Sequence, residues 1–215
     1  MNAHRTDVLV RSFGNIGYPI AMDVTPEYLP RLETLLPILT MDSIVWRSDR
    51  LFSRQSWQNR TRLRNADGWQ WITVPVERGQ TGEAIRNTRI AYHDGWRKRH
   101  VKALQYNYST TPFYEHYAPD LTDLLSTRYE TVGALNHAAL KLILAWLKHP
   151  VRWLEPDDVL AEPDRDPSII APLVTDPFEH PVYQQNYNGF HPDMSSLDIL
   201  FNHGPAAVHK LARSS

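Results

Sequence analysis

A change in hydrophobic periodicity near residue 96 constrains the fold of this chain more than any other feature. Before it, short β-branched and aromatic runs at 43–46 and 69–76 predict strands. After it, three segments have helical periodicity: 96–108, 114–126 and 131–148. The third has apolar residues at the three- and four-residue intervals of a core-facing helix: Val132, Leu135, Ala139, Leu142 and Trp146. This order predicts an α+β protein, with a small mixed or antiparallel sheet in the N-terminal half packed against a helical C-terminal half.

Turn and cap residues predict further elements. Thr25-Pro26-Glu27 has the form of a helix N-terminus, so a helix is predicted from there to about Leu39. The segment 88–92 is predicted to pair with the strand at 69–76 as a hairpin. Three other short elements are predicted: a strand at 7–10 and helices at 195–203 and 206–212.

Length and composition favour one domain spanning 1–215. A hydrophobic fraction of 42% with seven Trp is sufficient for a hydrophobic core. The absence of Cys excludes disulfides and thiolate chemistry. No apolar run is long enough to span a bilayer, and residues 1–7 lack the apolar core of a signal peptide. The expectation is a cytoplasmic protein with no membrane partner.

The net charge of −1 conceals a strong asymmetry. Residues 47–102 carry 13 Lys or Arg against 5 Asp or Glu, whereas the rest carries 10 against 19. A basic segment in a neutral protein indicates an anionic ligand. The alternative is that the two parts neutralise each other in the fold. Charge patterning alone is a weak signal and does not decide between these two interpretations.

The segment 52–60 places aromatic and directional polar side chains beside a predicted strand. Arg54, Trp57, Asn59 and Arg60 are its candidate binding residues. Arginine suits bidentate binding of phosphate or carboxylate, so a phosphate or pyrophosphate subsite is expected here. The alternative, which holds for most of the neighbouring arginines, is that they stay in water.

His100 is the candidate general base. It lies four residues after Trp96 on one helix face, which Tyr108 continues. Histidine is the commonest proton-transfer residue near neutral pH. The alternative is a core imidazole with a satisfied hydrogen bond, which is the more frequent fate of a single His on a face with Trp and Leu.

Three other polar residues are candidates for the site. Asp49 follows a strand, and strand ends commonly carry site residues. Asp198 is either a site carboxylate or the partner of Ser195 in a helix capping box. Asn136, in a mostly apolar helix, either orients a ligand or fastens the helix to a loop.

Several classes of site have no motif in this sequence. No metal site is predicted, because no His-x-x-x-His pair on a helix or Cys cluster occurs. No cofactor is predicted either, since the glycine-rich dinucleotide and P-loop motifs and the Gly-x-Ser-x-Gly elbow are absent. A near-neutral pI of 6.8 and the lack of a known module argue against nucleic-acid binding.

These residues, in this order, resemble the WbqC-like family of bacterial proteins over about 25–205. The matching positions are Tyr28 and Pro30, Asp49-x-x-Phe52, Ser56-Trp57-x-Asn59-Arg60, Thr73-Val-Pro75, Trp96-x-x-x-His100, Tyr108, Asn136, Tyr183-x-Gln185 and Ser195-x-x-Asp198. The chain departs from the family pattern at Thr25, Arg31 and Ser48, and the segment before Tyr183 is short. These departures favour an altered substrate or a lost activity.

The resemblance implies an acyl- or aminoacyl-transferase that acts on a small amine- or hydroxyl-bearing acceptor in polysaccharide or specialised-metabolite biosynthesis. His100 would be the base, Asp49 its partner or a substrate anchor, and Asn59 with Arg60 the anion binders. The expected ligand is a phosphate-bearing small molecule such as a nucleotide sugar or coenzyme A. The predicted residues are expected to line one pocket, with Gln185 among them. The alternatives are a non-catalytic binding or scaffold protein, or a hydrolase using the same site.

Overall fold

A four-stranded parallel sheet and a separate antiparallel hairpin form the β part of this protein. The structure, a computed structural model, describes residues 21–157, 170–171 and 178–213. The strands are β1 Ala21–Val24, β2 Ser43–Trp46, β3 Arg60–Asn65, β4 Gly68–Thr73, β5 Arg152–Leu154 and β6 Ile170–Ala171. The helices are α1 Leu32–Ile38, α2 Trp96–Tyr108, α3 Tyr114–Ser126, α4 Val132–Trp146 and α5 Leu197–Ala212, with a 3-10 turn at Ile85–Asn87. The α+β class is confirmed.

The parallel sheet has the strand order β5-β2-β1-β6. All four residues of β2 are buried, which suits a central strand of a parallel sheet covered on both faces. The sheet takes two strands from the C-terminal half of the chain, so it is not confined to the N-terminal half as the sequence predicts. The predicted strand at 7–10 lies outside the described residues.

The hairpin pairs β3 with β4, and its two faces differ. Thr61, Leu63 and Ile72 point into the core, where α2 packs against both strands. The outer face carries Arg60, Arg62 and Arg64 opposite Thr73, Trp71 and Trp69. The predicted partner of β4, the segment 88–92, contributes only a bridge between Val76 and Ile90. Because β3 alternates arginine with core residues, it pairs with β4 in place of that segment.

The helices follow the sequence prediction closely. Helices α2 and α3 have the predicted bounds, and α4 lies within the predicted 131–148. Thr131 caps α4, because its side chain accepts a hydrogen bond from the backbone N of Ala134 at 3.2 Å. Val132, Leu135 and Ala139 are fully buried, as the apolar stripe of this helix requires. In the described part of the chain, no helix is both long and apolar enough to cross a bilayer.

The predicted helix start at Thr25 is wrong, because α1 begins only at Leu32. The backbone N of Tyr28 donates instead to the carbonyl of Trp57 at 2.9 Å. Leu29 has a left-handed φ of 47° and precedes Pro30, and a residue before proline is disfavoured in the α conformation. The segment 25–31 therefore crosses to the hairpin before the helix begins.

Gly204 divides the last helix, as the sequence predicts for 195–212. Its φ of 72° and ψ of −176° interrupt α5 between two helical halves. A Cβ at this position would lie 2.8 Å from the ring of Phe113. Only glycine fits both this backbone conformation and this contact.

Candidate functional site

Four charged residues cluster at the carboxyl ends of β1 and β2, and we call Asp23, Arg47, Asp49 and Arg50 the strand-end cluster. Arg47 donates to Asp23 at 2.8 Å and to both carboxylate oxygens of Asp49 at 2.8 and 2.9 Å. Arg50 donates to Asp23 at 3.0 Å and also hydrogen-bonds the Thr25 hydroxyl. Arg47 therefore holds the two carboxylates on either side of one guanidinium.

The electrostatics of the strand-end cluster keep at least one carboxylate ionised. The hydrogen bond from Arg47 holds the pKa of Asp49 below its usual value, against a smaller opposing effect of burial. The side chain of Asp49 is 29% exposed and that of Asp23 is 14% exposed. One oxygen of Asp23 is buried without a hydrogen-bond partner. Sites of open parallel sheets lie outside the carboxyl ends of the strands, which is where this cluster stands.

A second candidate site lies on the outer face of the hairpin, at the end near Arg60, where arginine and tryptophan side chains interleave. Arg60 lies 3.9 Å over the ring of Trp71, and Arg62 lies 4.1 Å over that of Trp69. Trp57 contacts Trp71 at a centroid distance of 4.9 Å. We call this set the indole–guanidinium surface; its members are Arg31, Trp57, Arg60, Arg62, Trp69 and Trp71.

The three arginines of the indole–guanidinium surface differ in their acidic partners. Arg31 donates to Glu27 at 2.8 Å, and Arg62 reaches Asp193 at 3.5 Å. Arg60 forms no ion pair with any residue that the structure describes.

His100 lies beneath the hairpin and has little contact with solvent. It is 3% exposed, and its Nδ1 stands 2.9 Å from the hydroxyl of Tyr28. Burial lowers the pKa of His100 to about 4, opposed by a backbone hydrogen bond at Thr73. Trp96 meets the imidazole edge-on at 5.0 Å. This is the geometry of a neutral core imidazole with a satisfied hydrogen bond, and the predicted catalytic role stays a prediction.

Asp198 joins a buried network at the other end of the hairpin. It accepts from the Tyr108 hydroxyl at 2.9 Å, and that hydroxyl accepts from the backbone N of Arg64 at 2.9 Å. Burial raises the pKa of Asp198. The carboxylate does not close a capping box; Ser195 donates instead to the carbonyl of Leu29 at 3.0 Å. Asp198 therefore links α2, the hairpin and α5.

The two predicted asparagines fasten the loop before β3. Asn59 donates to the carbonyl of Val74 at 2.9 Å, and Asn136 donates to that of Gln58 at 2.8 Å. Both side chains are buried, and each leaves its amide oxygen without a partner. Of the alternatives that the sequence leaves open, Asn136 shows the one in which it fastens the helix to a loop.

The predicted site residues separate into three places instead of lining one pocket. Asp49 belongs to the strand-end cluster, and Trp57 and Arg60 belong to the indole–guanidinium surface, with Arg54 exposed in the adjoining loop. The other seven are buried: Asn59, Trp96, His100, Tyr108, Asn136, Gln185 and Asp198. A surface hollow of about 410 Å³ beside β5 contains none of them.

The sequence carried a signal for Arg62, Trp69 and Trp71 but none that was used for Asp23. Asp23 was missed because 21–24 was not predicted as a strand. Arg62, Trp69 and Trp71 were missed although their period of two marks one face of a hairpin.

The two candidate sites are neighbours, since Thr25 bonds Arg50 and Tyr28 bonds the Trp57 backbone. The backbone between Thr25 and Tyr28 spans at most about 11 Å, so the two sites lie close together.

Comparison with known proteins identifies a family and a relative, and neither description states an activity. The sequence model of the WbqC-like protein family matches residues 25–171 and 168–210. A protein of Mycobacterium tuberculosis, Rv1507c, described as uncharacterized, is 28% identical over 217 residues, covering 86% of this chain and 94% of the relative. No solved structure matches.

Proposed function

The chain belongs to the WbqC-like protein family, and on that premise we propose that it transfers an acyl or aminoacyl group to a small amine- or hydroxyl-bearing acceptor. The pathway would be polysaccharide or specialised-metabolite biosynthesis. The strand-end cluster is the observation that carries this proposal. It combines ionised carboxylate with accessible guanidinium at the edge of a parallel sheet, where both can contact one small molecule.

The carboxylates suit an acceptor that carries an amine. An ammonium group is attracted to ionised Asp49, whose side chain is 29% exposed. The ammonium first gives one proton to water and becomes a neutral amine. Its nitrogen then forms a bond to the acyl carbon, the bond from that carbon to its carrier breaks, and the second proton of the nitrogen goes to the released carrier. Arg50, whose side chain is 42% exposed, is placed to hold an anionic group of the substrate.

Calorimetry with D-glucosamine, and with D-glucose as the matched ligand without an amine, tests this acceptor site. Asp49→Asn should weaken glucosamine binding about tenfold or more, because a charged hydrogen bond contributes roughly 1.5–3 kcal/mol. Asp94→Asn is the matched control, since Asp94 also pairs with an arginine, Arg99, at 2.7 Å on the surface. Equal binding of the two sugars, or equal effects of the two substitutions, contradicts the proposal.

Acyl transfer itself is measured as release of free coenzyme A from acetyl-coenzyme A in the presence of glucosamine. Release should require the acceptor and should fall in Asp49→Asn but not in Asp94→Asn. Release that is equally fast without glucosamine would favour the hydrolase alternative, in which water takes the place of the acceptor.

A binding or scaffold protein is the second candidate, and the position of His100 favours it. A buried imidazole whose pKa is lowered to about 4 is a weak base and does not contact the strand-end cluster through any described hydrogen bond. Glucosamine binding that depends on Asp49, together with no acetyl release by the wild type, would support this candidate.

A further inference from the structure

We propose that the indole–guanidinium surface binds the nucleoside diphosphate group of a substrate. The inference deepens the proposed function, on which it rests, by giving the chemical class of that substrate. Coenzyme A contains this group and would carry the acyl unit as donor, whereas a nucleotide sugar contains it and would carry the amine or hydroxyl as acceptor.

The stacking geometry favours a planar, anionic ligand. The guanidinium of Arg60 covers one face of Trp71 at 3.9 Å, and this arginine is partly exposed. Arg62 similarly covers Trp69, which is 38% exposed. A neutral sugar stacks on bare indole, whereas these indoles present guanidinium to a ligand. A nucleobase stacks well on such a plane, as bases do on arginine in single-stranded recognition.

The hydrogen-bonding state of the arginines favours a phosphate. Arg60 has no ion-pair partner in the described part of the chain, and its Nε is buried without an acceptor. Arg54, in the loop before Trp57, is exposed and likewise forms no ion pair with a described residue. Two guanidinium groups without an acidic partner among the described residues, near one aromatic cluster, match a diphosphate, which offers several acceptor oxygens.

The backbone around this surface is held in a fixed conformation. Leu29, Gln55 and Asp193 have positive φ values of 47°, 57° and 61°, and all three flank members of the surface. Such conformations persist only where surrounding contacts determine them, and they occur often at ligand sites. Leu29, for example, is fixed through its carbonyl, which accepts from Thr61 and Ser195. These two hydrogen bonds hold the backbone at Leu29 in place beside the surface.

The indole–guanidinium surface lies beside the strand-end cluster. Tyr28 bonds the backbone of Trp57, and Thr25 bonds Arg50 of the strand-end cluster. Because the backbone from Thr25 to Tyr28 extends at most about 11 Å, the two sites are neighbours, and we propose that one substrate molecule contacts both. A nucleoside diphosphate with its attached group is long enough to cover that distance.

Calorimetric titration with UDP, with uridine and with inorganic pyrophosphate tests this inference. UDP should bind more tightly than either fragment, since it uses both stacking and charge, and its affinity should fall as salt rises. Arg60→Gln should weaken UDP binding about tenfold or more, the loss expected for charge-assisted hydrogen bonds. Arg60→Lys should also weaken it, because lysine keeps the charge but lacks the plane.

Arg128→Gln is the matched control. Arg128 lies 4.3 Å over Tyr92, so it is another arginine stacked on an aromatic ring, but outside this surface. It should leave UDP binding unchanged. Thermal unfolding of each variant verifies that the fold is kept, and Arg60→Lys supplies the comparison if Arg60→Gln does not fold.

Four results would overturn the inference: no binding of UDP by the wild type, equal binding of UDP and pyrophosphate, equal affinity of Arg60→Gln and Arg128→Gln, or binding of oligouridylate alone. Parallel titrations with UDP-glucose and coenzyme A distinguish the two sources of the nucleoside diphosphate group. Asp49→Asn should retain UDP binding. If UDP does not bind but glucosamine binding still depends on Asp49, only this inference is refuted. If UDP binds through Arg60 but glucosamine binding does not depend on Asp49, only the acceptor site is refuted.

Discussion

The two ends of the outer hairpin face carry the same residue type in opposite environments. Arg64 is 1% exposed, and it donates to Gln185 at 3.1 Å and to the carbonyls of Gly68 and Asn188, both at 2.5 Å. Arg60, four residues earlier on the same face, is partly exposed and has no carboxylate partner among the described residues. We call these the covered end and the open end.

The difference between the ends comes from a cover and not from the strand. The segment 185–191 lies over Arg64, where Gln185 and His191 exchange hydrogen bonds at 2.9 Å. No such segment covers Arg60 among the described residues. The same sequence alternation therefore produces a structural arginine at one end and a ligand-accessible arginine at the other, which charge counting cannot distinguish.

The largest expected effect comes from removing the covered arginine. Arg64→Met should lower the free energy of unfolding by about 3–5 kcal/mol, because it leaves several buried acceptors without donors. Arg60→Met should change it by less than about 1 kcal/mol, as for a surface charge. Urea unfolding measures both. Similar losses in the two variants would remove the distinction between the ends.

A smaller change in the free energy of unfolding is expected when the pH is lowered, because His100, beneath the hairpin, then becomes protonated. Because the folded-state pKa of about 4 is below the unfolded value near 6.5, this group stabilises the fold above pH 6.5. That contribution, at most about 3 kcal/mol, should be lost as pH falls from 6.5 to 4. Urea unfolding across this range, compared with His100→Gln, isolates it.

His100→Gln also separates catalysis from structure. If His100 is a base, turnover should fall by about 10²–10⁴ with little change in melting temperature. If it is a structural residue, melting temperature should fall by several degrees and activity only in proportion to folded protein. A variant with unchanged pH dependence of stability would contradict the buried, neutral state.

The smallest expected effect is the pH dependence of stability that comes from Asp198, at the covered end. Its sign is opposite to that of His100. Burial raises the pKa of Asp198, so its contribution to stability is present at low pH and is lost as pH rises through the folded-state value. Asp198→Asn keeps an acceptor for Tyr108 and should remove this loss. The unfolding free energy of the variant relative to wild type should rise with pH, by no more than about 1.4 kcal/mol per pH unit.

A stability difference between Asp198→Asn and wild type that is flat across pH would mean that this carboxylate has the same proton affinity in both states. A fall with rising pH would mean that it is stabilised in ionised form, despite its burial. Either result would erase the contrast with His100.

The sequence predicts local elements better than it predicts what covers them. Helices α2, α3 and α4 follow from periodicity, because each apolar stripe is complete within its own segment. The start of α1 does not, since Tyr28 pairs with Trp57 and Leu29 is fixed by Pro30. That outcome depends on a residue almost thirty positions away.

The sequence likewise predicts only part of the candidate site, because distant contacts decide which residues are buried. Asp49, Trp57 and Arg60 lie at accessible places, as their position near strand ends suggests. His100 and Asp198 have patterns that fit either a site or the core, and burial decides between those patterns. Their partners, Tyr28 and Tyr108, are distant in sequence, so no local pattern contains the answer.

The parallel sheet has a consequence for how this chain is made. Strand β1 begins at residue 21 but pairs with β6 at residue 170, and the Arg31 backbone bridges to Ser195. During translation, β1 therefore leaves the ribosome long before its neighbour exists, and until then one of its edges is unpaired. Folding dominated by such distant contacts is slow. An exposed strand edge is also the surface that chaperones must protect in a nascent chain.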